Sequence, residues 1–369
     1  MEDLRLNPSK RLGRSPLFEK VRAEGAKAWS VYNGRLIGQW FRSMEDDYWH
    51  LKSAVQVWDV GGERIIEISG PDARRLIQMT TPRDLSGLAD NQCAYMPMVH
   101  TDGGMINDPV LTRLAPDRYW LALADSDMEL YLKGLAAGTA LDVRITAPDV
   151  WLIAVQGPKA DDLAANLWGE SVREIGFFRY GRVDVAGIPM VLARSGWSRQ
   201  GGFELHVEGA ENAIPIWEKL MEAGRAYDVR AGCPNLIERI EAGLLSYGND
   251  MGPEHTPYEA GLSRFCADKD PGCLAFSALA PRRVPARQIR PVEITGPKVP
   301  PVAQSWPIRS PDGAYAGEVT SAAWSPGQNT NVAIAMLGRE HWTPGTALMV
   351  DTSEGARDLV VAEKFWGRT

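Results

Sequence analysis

Cysteine and histidine are scarce in this chain, and neither is spaced as metal ligands are. Among 369 residues there are four cysteines and five histidines. No pair of cysteines has the spacing of zinc ligands, and no HExxH motif is present. Four thiols are also too few to hold a chain of this length together as a disulfide framework. We therefore expect no metal centre and no disulfide scaffold.

Other missing patterns each exclude a class of protein. No apolar run approaches the ~20 residues that cross a bilayer, and neither a GxGxxG motif nor a Walker loop occurs. The 40 Lys and Arg residues are outnumbered by 47 Asp and Glu residues, which gives a net charge of −7. Such a chain has no surplus of positive charge to neutralise phosphates. We expect neither a membrane nor a nucleic acid as partner, and dinucleotide or nucleoside triphosphate cofactors are disfavoured.

The N-terminal segment is unlike a secretory signal. Residues 1–20 are charged and contain no apolar stretch followed by a small-residue cleavage site. We therefore expect a cytoplasmic location. The sequence leaves the oligomeric state open, and a homodimer is one option.

Tryptophan is unusually common, with 13 Trp against 10 Tyr and 8 Phe. Tryptophan rings fill bulky cores, and they also line boxes that bind cations. The remaining composition, 44% hydrophobic and 24% charged, is that of an ordinary globular protein. The length exceeds one ordinary core, so two or three domains are expected.

The order of local patterns indicates an α+β fold, because strand-like and helix-like segments do not alternate strictly. Residues 234–247 have the apolar spacing of a helix that ends at Gly248. Residues 280–302 are rich in proline and arginine, which is typical of a linker or domain rim. From about residue 292 to 365, short strands and Gly/Pro turns predict a small β-barrel. We therefore place a domain boundary between residues 280 and 281.

Three segments carry residues with chemical potential. A Gly-rich turn at 103–109 places Asp108 near its end, although acidic residues in turns often have no role beyond forming the turn. In the strand at 202–207, Glu204 and His206 share one face about 6.6 Å apart. That face meets either solvent or a pocket, and the two interpretations are evenly balanced. Arg239 lies on the helix at 234–247, where a charged side chain is usually solvated.

Together these segments resemble the glycine-cleavage T-protein (aminomethyltransferase) family. The patterns GG-x-x-x-D, G-aromatic-x-x-x-x-G-F-E-L and R-x-E-A-G-L-x-x-Y-G-N-D occur in the family's order, followed by the barrel segment GEVTS at 317–321. The resemblance implies a three-domain cloverleaf with tetrahydrofolate in a central channel. Residues 1–280 would then form a folate-binding region of two intertwined α+β subdomains, and residues 281–369 the C-terminal β-barrel.

Within this family the chain is most similar to the dimethylsulfoniopropionate demethylases. The runs VWDV at 57–60, NDP at 107–109, ARSGWS at 193–198 and GCPN at 232–235 carry the similarity. The D-V-S-H-M and G-Y-T-G-E runs of true aminomethyltransferases are replaced by DVGGE and GWSRQ. The resemblance implies an enzyme that moves a methyl group from a small onium donor to tetrahydrofolate. Three alternatives remain: another methyl donor (a betaine, a methylated amine or a methyl ether), a glycine-cleavage aminomethyltransferase, and a non-catalytic folate-binding protein.

The resemblance also implies roles for residues around the folate. Asp108 would lie beside the reacting nitrogen and steady its charge or receive its proton, which makes it the catalytic candidate. Tyr95 would pack against the pterin, and Glu204 would hydrogen-bond the pterin edge. Arg239 is the candidate for the remaining folate side.

Four further residues are candidates for binding the methyl donor. Trp197, and after it Tyr32, could hold the cationic group of the donor by a cation–π interaction. Arg35 could anchor a carboxylate. His206 stands where the demethylases carry a tyrosine, and by its strand face it could line the same pocket; the alternative for both residues is neutral variation at the pocket rim.

Overall fold

The computed structural model describes residues 9–367. Residues 1–8, part of the predicted non-secretory N-terminal segment, and residues 368–369 of the predicted barrel domain lie outside the described residues. The helices are α1 (Phe18–Ala23), α2 (Met44–Ser53), α3 (Ala73–Met79), α4 (Met128–Thr139), α5 (Ala160–Trp168), α6 (Ala210–Ala223), α7 (Leu236–Ala242) and α8 (Phe276–Leu279). The strands are β1 (Gly13–Arg14), β2 (Trp29–Tyr32), β3 (Arg35–Gly38), β4 (Val55–Asp59), β5 (Arg64–Ser69), β6 (Cys93–Tyr95), β7 (Met98–Val99), β8 (Met105–Asn107), β9 (Val110–Ala115), β10 (Arg118–Leu123), β11 (Arg144–Thr146), β12 (Val150–Gln156), β13 (Tyr180–Val185), β14 (Ile188–Ala193), β15 (Gly202–Glu208), β16 (Val229–Gly232), β17 (Arg287–Ile294), β18 (Trp306–Arg309), β19 (Tyr315–Ser325), β20 (Thr330–Gly338), β21 (Ala347–Thr352) and β22 (Gly355–Val361).

Two sheets form the body of the molecule before the barrel. One has six strands in the order β13-β14-β15-β12-β4-β16, and the other has five in the order β11-β5-β10-β9-β6. The chain enters the six-stranded sheet with β4, builds the five-stranded sheet from β5 to β11, and returns with β12. The six-stranded sheet therefore combines segments from both sides of the five-stranded sheet in sequence, and the two cannot be separated by one cut of the chain.

The alternation of apolar residues decides which face of each strand is covered. On β15, Phe203, Leu205 and Val207 join the apolar cluster that α5 and α6 cover. The opposite face of this sheet packs on the five-stranded sheet, where Trp58 and Trp120 are fully buried in one cluster. A large apolar side chain buried in this way contributes about 1.5–3 kcal/mol. Glu204 and the residues beside it consequently lie on the side where the two sheets meet.

The C-terminal part closes into a six-stranded barrel in the order β17-β20-β19-β18-β21-β22. This confirms the predicted α+β fold with a C-terminal β-barrel. The first barrel strand begins at Arg287, earlier than the proline-rich composition predicts. Pro291 is tolerated within β17 because its missing N–H would face the β22 side, where strand pairing begins only at Val292. Its carbonyl points to that same side and accepts from the Ala362 amide. The domain boundary at residues 280 and 281 stays a prediction.

Helix α7 is shorter than the sequence predicts. Asn235 caps its start, since its side chain accepts from the backbone amides of Ile237 and Glu238 at 3.0 and 3.2 Å. The helix ends at Gly243 and not at Gly248, because Gly243 has a φ of +67° and its Cα faces the ring of Phe365. A side chain at Gly243 would stand 2.6 Å from that ring. The prediction was wrong because the barrel's end segment, distant in sequence, decides where the helix stops.

Buried charges join α7 to the barrel. Arg239 donates to Asp250 at 2.6 Å and to the Ser321 hydroxyl on β19 at 2.6 Å. The hydroxyls of Thr320 and Ser321 donate to Asp250 at 2.7 and 2.6 Å. Two residues further along α7, Glu241 accepts from Lys52, Tyr48 and Ser325. These contacts fix the barrel against the helix that borders the site described below.

Removing one partner of this buried pair should be costly. We expect Asp250→Asn to destabilise the protein by about 3–5 kcal/mol, because it leaves the Arg239 guanidinium buried without its counter-charge. Asp351→Asn is the matched control, since Asp351 pairs with Arg309 at the barrel surface and such pairs contribute about 0–1 kcal/mol. Thermal and urea unfolding of both variants measures the difference. Equal losses would show that the Arg239–Asp250 pair does not stabilise the fold.

In the part of the chain that the structure describes, no helix is long and apolar enough to cross a membrane.

Candidate active site

Asp108 lies in the turn between β8 and β9, and its neighbour fixes the turn. The buried Asn107 side chain accepts from the Asp108 amide at 2.9 Å and donates to the Ala124 carbonyl at 3.0 Å and the Ser126 hydroxyl at 2.7 Å. The Tyr95 hydroxyl, from β6, donates to Asp108 Oδ2 at 2.9 Å. The turn therefore holds the carboxyl group of Asp108 within hydrogen-bonding distance of the Tyr95 hydroxyl.

Burial gives Asp108 an unusual pKa. Loss of hydration raises the pKa of this carboxyl group from its ordinary value of 3.8 to about 7, and the Tyr95 hydrogen bond works in the opposite direction. The side chain nevertheless keeps partial exposure to solvent. A group that is poorly hydrated and still accessible can meet a ligand in a poorly solvated position. A carboxyl group with a pKa near neutrality there can exchange a proton at physiological pH.

Glu204 points into the same region from β15. The Ser195 hydroxyl donates to Glu204 Oε2, and burial raises the pKa of Glu204. Gln156 anchors the preceding loop through the carbonyls of Ser195 and Phe203, at 3.1 and 3.3 Å. Gly196 has a φ of +153° and packs so closely on Gln156 that a Cβ would stand 2.1 Å from its amide nitrogen.

A third carboxyl group, that of Glu63, was missed by the sequence interpretation. It follows the turn after β4, and burial together with the charges of Glu204 and Asp108 raises the pKa of Glu63 well above its ordinary value. Its carboxylate forms no hydrogen bond or ion pair with any residue between 9 and 367. The replacement of D-V-S-H-M by DVGGE was the available signal, since it changes residues next to the predicted pocket.

Two tyrosines complete this acidic region. The pKa of Tyr32 is raised by burial and by the charges of Glu63 and Asp108, which places its hydroxyl beside the carboxyl groups. The Tyr247 hydroxyl donates to the Met105 carbonyl at 3.2 Å, and burial and Asp108 raise the pKa of Tyr247 to about 12. Both phenols stay protonated at neutral pH, so they act as neutral hydrogen-bond donors here.

Trp197 lies on a loop that contacts α7. The Glu238 side chain accepts from the Arg199 amide at 2.8 Å and from the Gln200 side chain at 3.2 Å. The guanidinium of Arg239 stands 5.7 Å from the centre of the Trp197 ring. The loop carrying Trp197 therefore takes its position from two consecutive residues of α7.

Arg239 has other partners than the predicted folate contact. Its guanidinium binds Asp250, the Ser321 hydroxyl and, at 3.4 Å, the Leu244 carbonyl. The side chain is buried, with 4% of the residue exposed. Arg239 thus borders the site beneath Trp197, and its contact with folate stays a prediction.

Arg35 and His206 each pack on a tryptophan ring. Arg35 donates to the Gly61 carbonyl at 2.6 Å and its guanidinium packs 4.3 Å from the Trp151 ring centre. His206 is buried between the two sheets and stacks on Trp120 with ring centres 5.5 Å apart. Burial lowers the pKa of His206 to about 4, so the imidazole is neutral at pH 7, and its Nδ1 has no hydrogen-bond partner among residues 9–367. The donor contacts predicted for both residues stay predictions.

The structure therefore brings together four of the predicted site residues: Tyr32, Tyr95, Asp108 and Glu204. Glu63 and Tyr247 join them from outside the predicted set. Half-buried carboxyl groups without a basic partner favour a cation or N–H donors. Within residues 9–367, no group of His, Cys, Asp and Glu side chains is arranged to hold a metal ion. The geometry suits a positively charged reactant and a proton acceptor.

Comparison with known proteins shows the class to which this fold and site belong. Residues 17–270 match the GCVT N-terminal domain, and residues 287–366 match the glycine cleavage T-protein C-terminal barrel domain. The chain belongs to the glycine cleavage T-protein family, as the sequence motifs indicated. It is 50% identical to dimethylsulfoniopropionate demethylase DmdA of Ruegeria pomeroyi, over 97% of this chain and 98% of that protein.

More distant members of the family give the same fold. An aminomethyltransferase of Caldanaerobacter subterraneus subsp. tengcongensis is 27% identical over 96% of this chain and 95% of its own length. The crystal structure of the glycine cleavage system aminomethyltransferase T from Bartonella henselae superposes with a TM-score of 0.86, at 23% identity, over 97% of this chain and 98% of that chain. The aminomethyltransferase-type architecture predicted from the motifs is thereby confirmed.

Proposed function

We propose that this protein is a tetrahydrofolate-dependent methyltransferase that demethylates dimethylsulfoniopropionate and releases methylmercaptopropionate. The observation that carries the proposal is the 50% identity to a dimethylsulfoniopropionate demethylase across 97% of the chain. The site supports it, because carboxylates and aromatic rings are the two kinds of group that attract a sulfonium cation.

The residues present fit tetrahydrofolate. When bound, it supplies the N5 nitrogen, which accepts the methyl group and releases a proton. A pterin edge carries N–H donors, and the Glu63 carboxylate and Oε1 of Glu204 accept no hydrogen bond from residues 9–367. We assign Glu204 to the pterin edge and the ring of Tyr95 to the pterin face. Asp108, which is bonded to Tyr95, would then face the reacting nitrogen.

The chemistry asks little more of the protein than orientation and a proton acceptor. A sulfonium sulfur leaves as a neutral thioether when its bond to the methyl carbon breaks, so no protein nucleophile is needed. Trp197 and Tyr32 would hold the cationic donor so that its methyl group faces the acceptor nitrogen. Asp108 would take up the proton that N5 releases, which its pKa of about 7 permits near neutral pH.

The glycine-cleavage alternative has weaker support. The aminomethyltransferases compared here are 26–28% identical to the chain, about half the identity of the demethylase. The replaced D-V-S-H-M and G-Y-T-G-E runs also argue against it. We further propose a cytoplasmic location, because all four cysteines are free thiols, as expected in a reducing compartment.

The deciding experiment is an anaerobic assay of the purified protein with tetrahydrofolate and dimethylsulfoniopropionate. We expect 5-methyltetrahydrofolate and methylmercaptopropionate in equal amounts, quantified by mass spectrometry over many turnovers. Betaine, methylated amines and methyl ethers serve as competing donors in parallel reactions.

Each other outcome identifies a different error. Turnover with a different donor alone would retain the methyltransferase and reject the sulfonium substrate. Binding of tetrahydrofolate without product from any donor would favour a folate-binding protein on this fold. Aminomethyl transfer to tetrahydrofolate would favour the glycine-cleavage reaction.

A further inference from the structure

Two arginines contact the same aromatic ring beside the site, and neither forms an ion pair within residues 9–367. The guanidinium carbons of Arg83 and Arg264 lie 5.3 and 4.6 Å from the centre of the Phe265 ring. Arg83 donates one hydrogen bond, to the Tyr95 carbonyl. Within residues 9–367, Arg264 forms no hydrogen bond or ion pair, and Arg83 forms no ion pair. Most of their N–H groups are therefore available to a ligand.

The backbone of both arginines is held firmly. The Ala267 amide donates to the Pro82 carbonyl at 2.9 Å, which joins the two segments. The Gln78 side chain donates to the Arg83 carbonyl at 2.8 Å, and the Thr81 hydroxyl accepts from the Arg83 amide at 3.2 Å. Sites held in this way before binding lose little entropy when a ligand arrives.

The two like charges are costly in the absence of an anion. Burial and the neighbouring charge of Arg264 lower the pKa of Arg83. Like charges repel each other, and an anion bound by both guanidinium groups would relieve the repulsion. Guanidinium groups bind carboxylates in a planar, two-pronged geometry that a lysine cannot provide.

A continuous series of contacts connects this pair to the reactive carboxyl group. Tyr95 bonds to Asp108 at 2.9 Å, and the rings of Tyr95 and Phe265 are 5.1 Å apart. Asp108 is half-buried and Arg264 is exposed, so the series runs from the acidic groups toward the surface. Carboxyl groups at one end of the series and guanidinium groups at the other match a ligand that is cationic at one end and anionic at the other.

We propose that Arg83 and Arg264 form a carboxylate-binding subsite at the rim of the active site. This rests on the proposed function, in which two reactants carry carboxylates. The donor bears one at the end opposite its sulfonium, and the glutamyl tail of folate bears others. Either carboxylate has the chemistry that the two guanidinium groups recognise. Arg239 is not part of this subsite, because its guanidinium is already paired with Asp250.

Kinetics of Arg264→Gln test the subsite and identify which carboxylate it binds. Arg264 is exposed, so its replacement should not disturb folding. We expect about a tenfold rise in the KM of one carboxylate-bearing reactant, with kcat changed less than twofold. One arm measures dimethylsulfoniopropionate against trimethylsulfonium, which has no carboxylate. The other arm measures tetrahydrofolate with one glutamate against three. Arg264→Lys should recover part of the loss. Arg225→Gln controls for net charge, because Arg225 is exposed and forms no ion pair within residues 9–367.

The outcomes are distinct. Selective loss toward dimethylsulfoniopropionate assigns the subsite to the donor, and loss of the preference for the longer glutamyl tail assigns it to folate. If Arg264→Gln matches Arg225→Gln in both arms while the wild type turns over, the subsite proposal is overturned and the function stands. If calorimetry shows that the wild type binds neither reactant, the proposed function fails and the subsite with it.

Discussion

Asparagine in place of Asp108 is expected to lower kcat for methyl transfer by about 10²–10⁴, the usual contribution of one general acid–base group. The residual rate should remain measurable, because the neutral thioether leaves without assistance and the orientation of the reactants persists. The amide can still accept the Tyr95 hydrogen bond, so the fold should be unchanged. Stopped-flow measurement of product formation at saturating reactants would test this. A kcat within threefold of the wild type would exclude Asp108 as the proton acceptor.

The pH dependence gives a second readout of the same residue. The pKa of Asp108 is about 7, so at lower pH its carboxyl group is protonated and cannot accept a proton. The wild-type kcat/KM should therefore rise with pH through about 7, and Asp108→Asn should lose this rise. Tyr95→Phe removes a hydrogen bond that favours the carboxylate, so the rise should move to higher pH. A rise that persists in Asp108→Asn would assign the ionisation to another group.

Replacement of Glu204 should weaken folate binding more than it slows the chemistry. We expect Glu204→Gln to raise the Kd of tetrahydrofolate by about 10–100-fold, because a hydrogen bond to a charged acceptor contributes about 1.5–3 kcal/mol. At saturating folate, kcat should fall much less than it does in Asp108→Asn. Isothermal titration calorimetry and steady-state kinetics measure the two quantities separately.

The same strand offers the control for this experiment. Glu208 ends β15 and is exposed, so Glu208→Gln makes the same chemical change outside the site. It should leave the Kd of tetrahydrofolate unchanged. If the two variants bind tetrahydrofolate equally well, Glu204 does not contact the pterin.

Local patterns were sufficient where local forces decide the structure. The alternation in β15 correctly separated the apolar Phe203 from Glu204, because one face of that strand is covered by helices. The end of α7 was predicted wrongly because Phe365, from the far end of the chain, packs where the helix would continue. Propensity describes a segment in isolation, and packing between distant segments overrides it.

The same distinction applies to the site. Asp108 and Glu204 stood out because each lies in a short motif. Glu63 lies in the DVGGE run that replaces D-V-S-H-M, but that replacement does not reveal its proximity to the other carboxyl groups. Arg83 and Arg264 come from segments far apart in sequence, so no spacing rule could pair them. When folding brings charged residues together from distant segments, their positions in the sequence do not reveal the cluster.

The buried contacts between α7 and β19 mean that the barrel is not an exchangeable module. Trp197 depends on Glu238, the same helix holds Arg239, and Arg239 in turn depends on Asp250 and Ser321. A relative's barrel grafted onto this chain would have to bring matching hydroxyl groups in the middle of β19, or the aromatic loop would lose its support. Evolution of substrate preference in this family can therefore proceed through barrel residues that never meet the substrate.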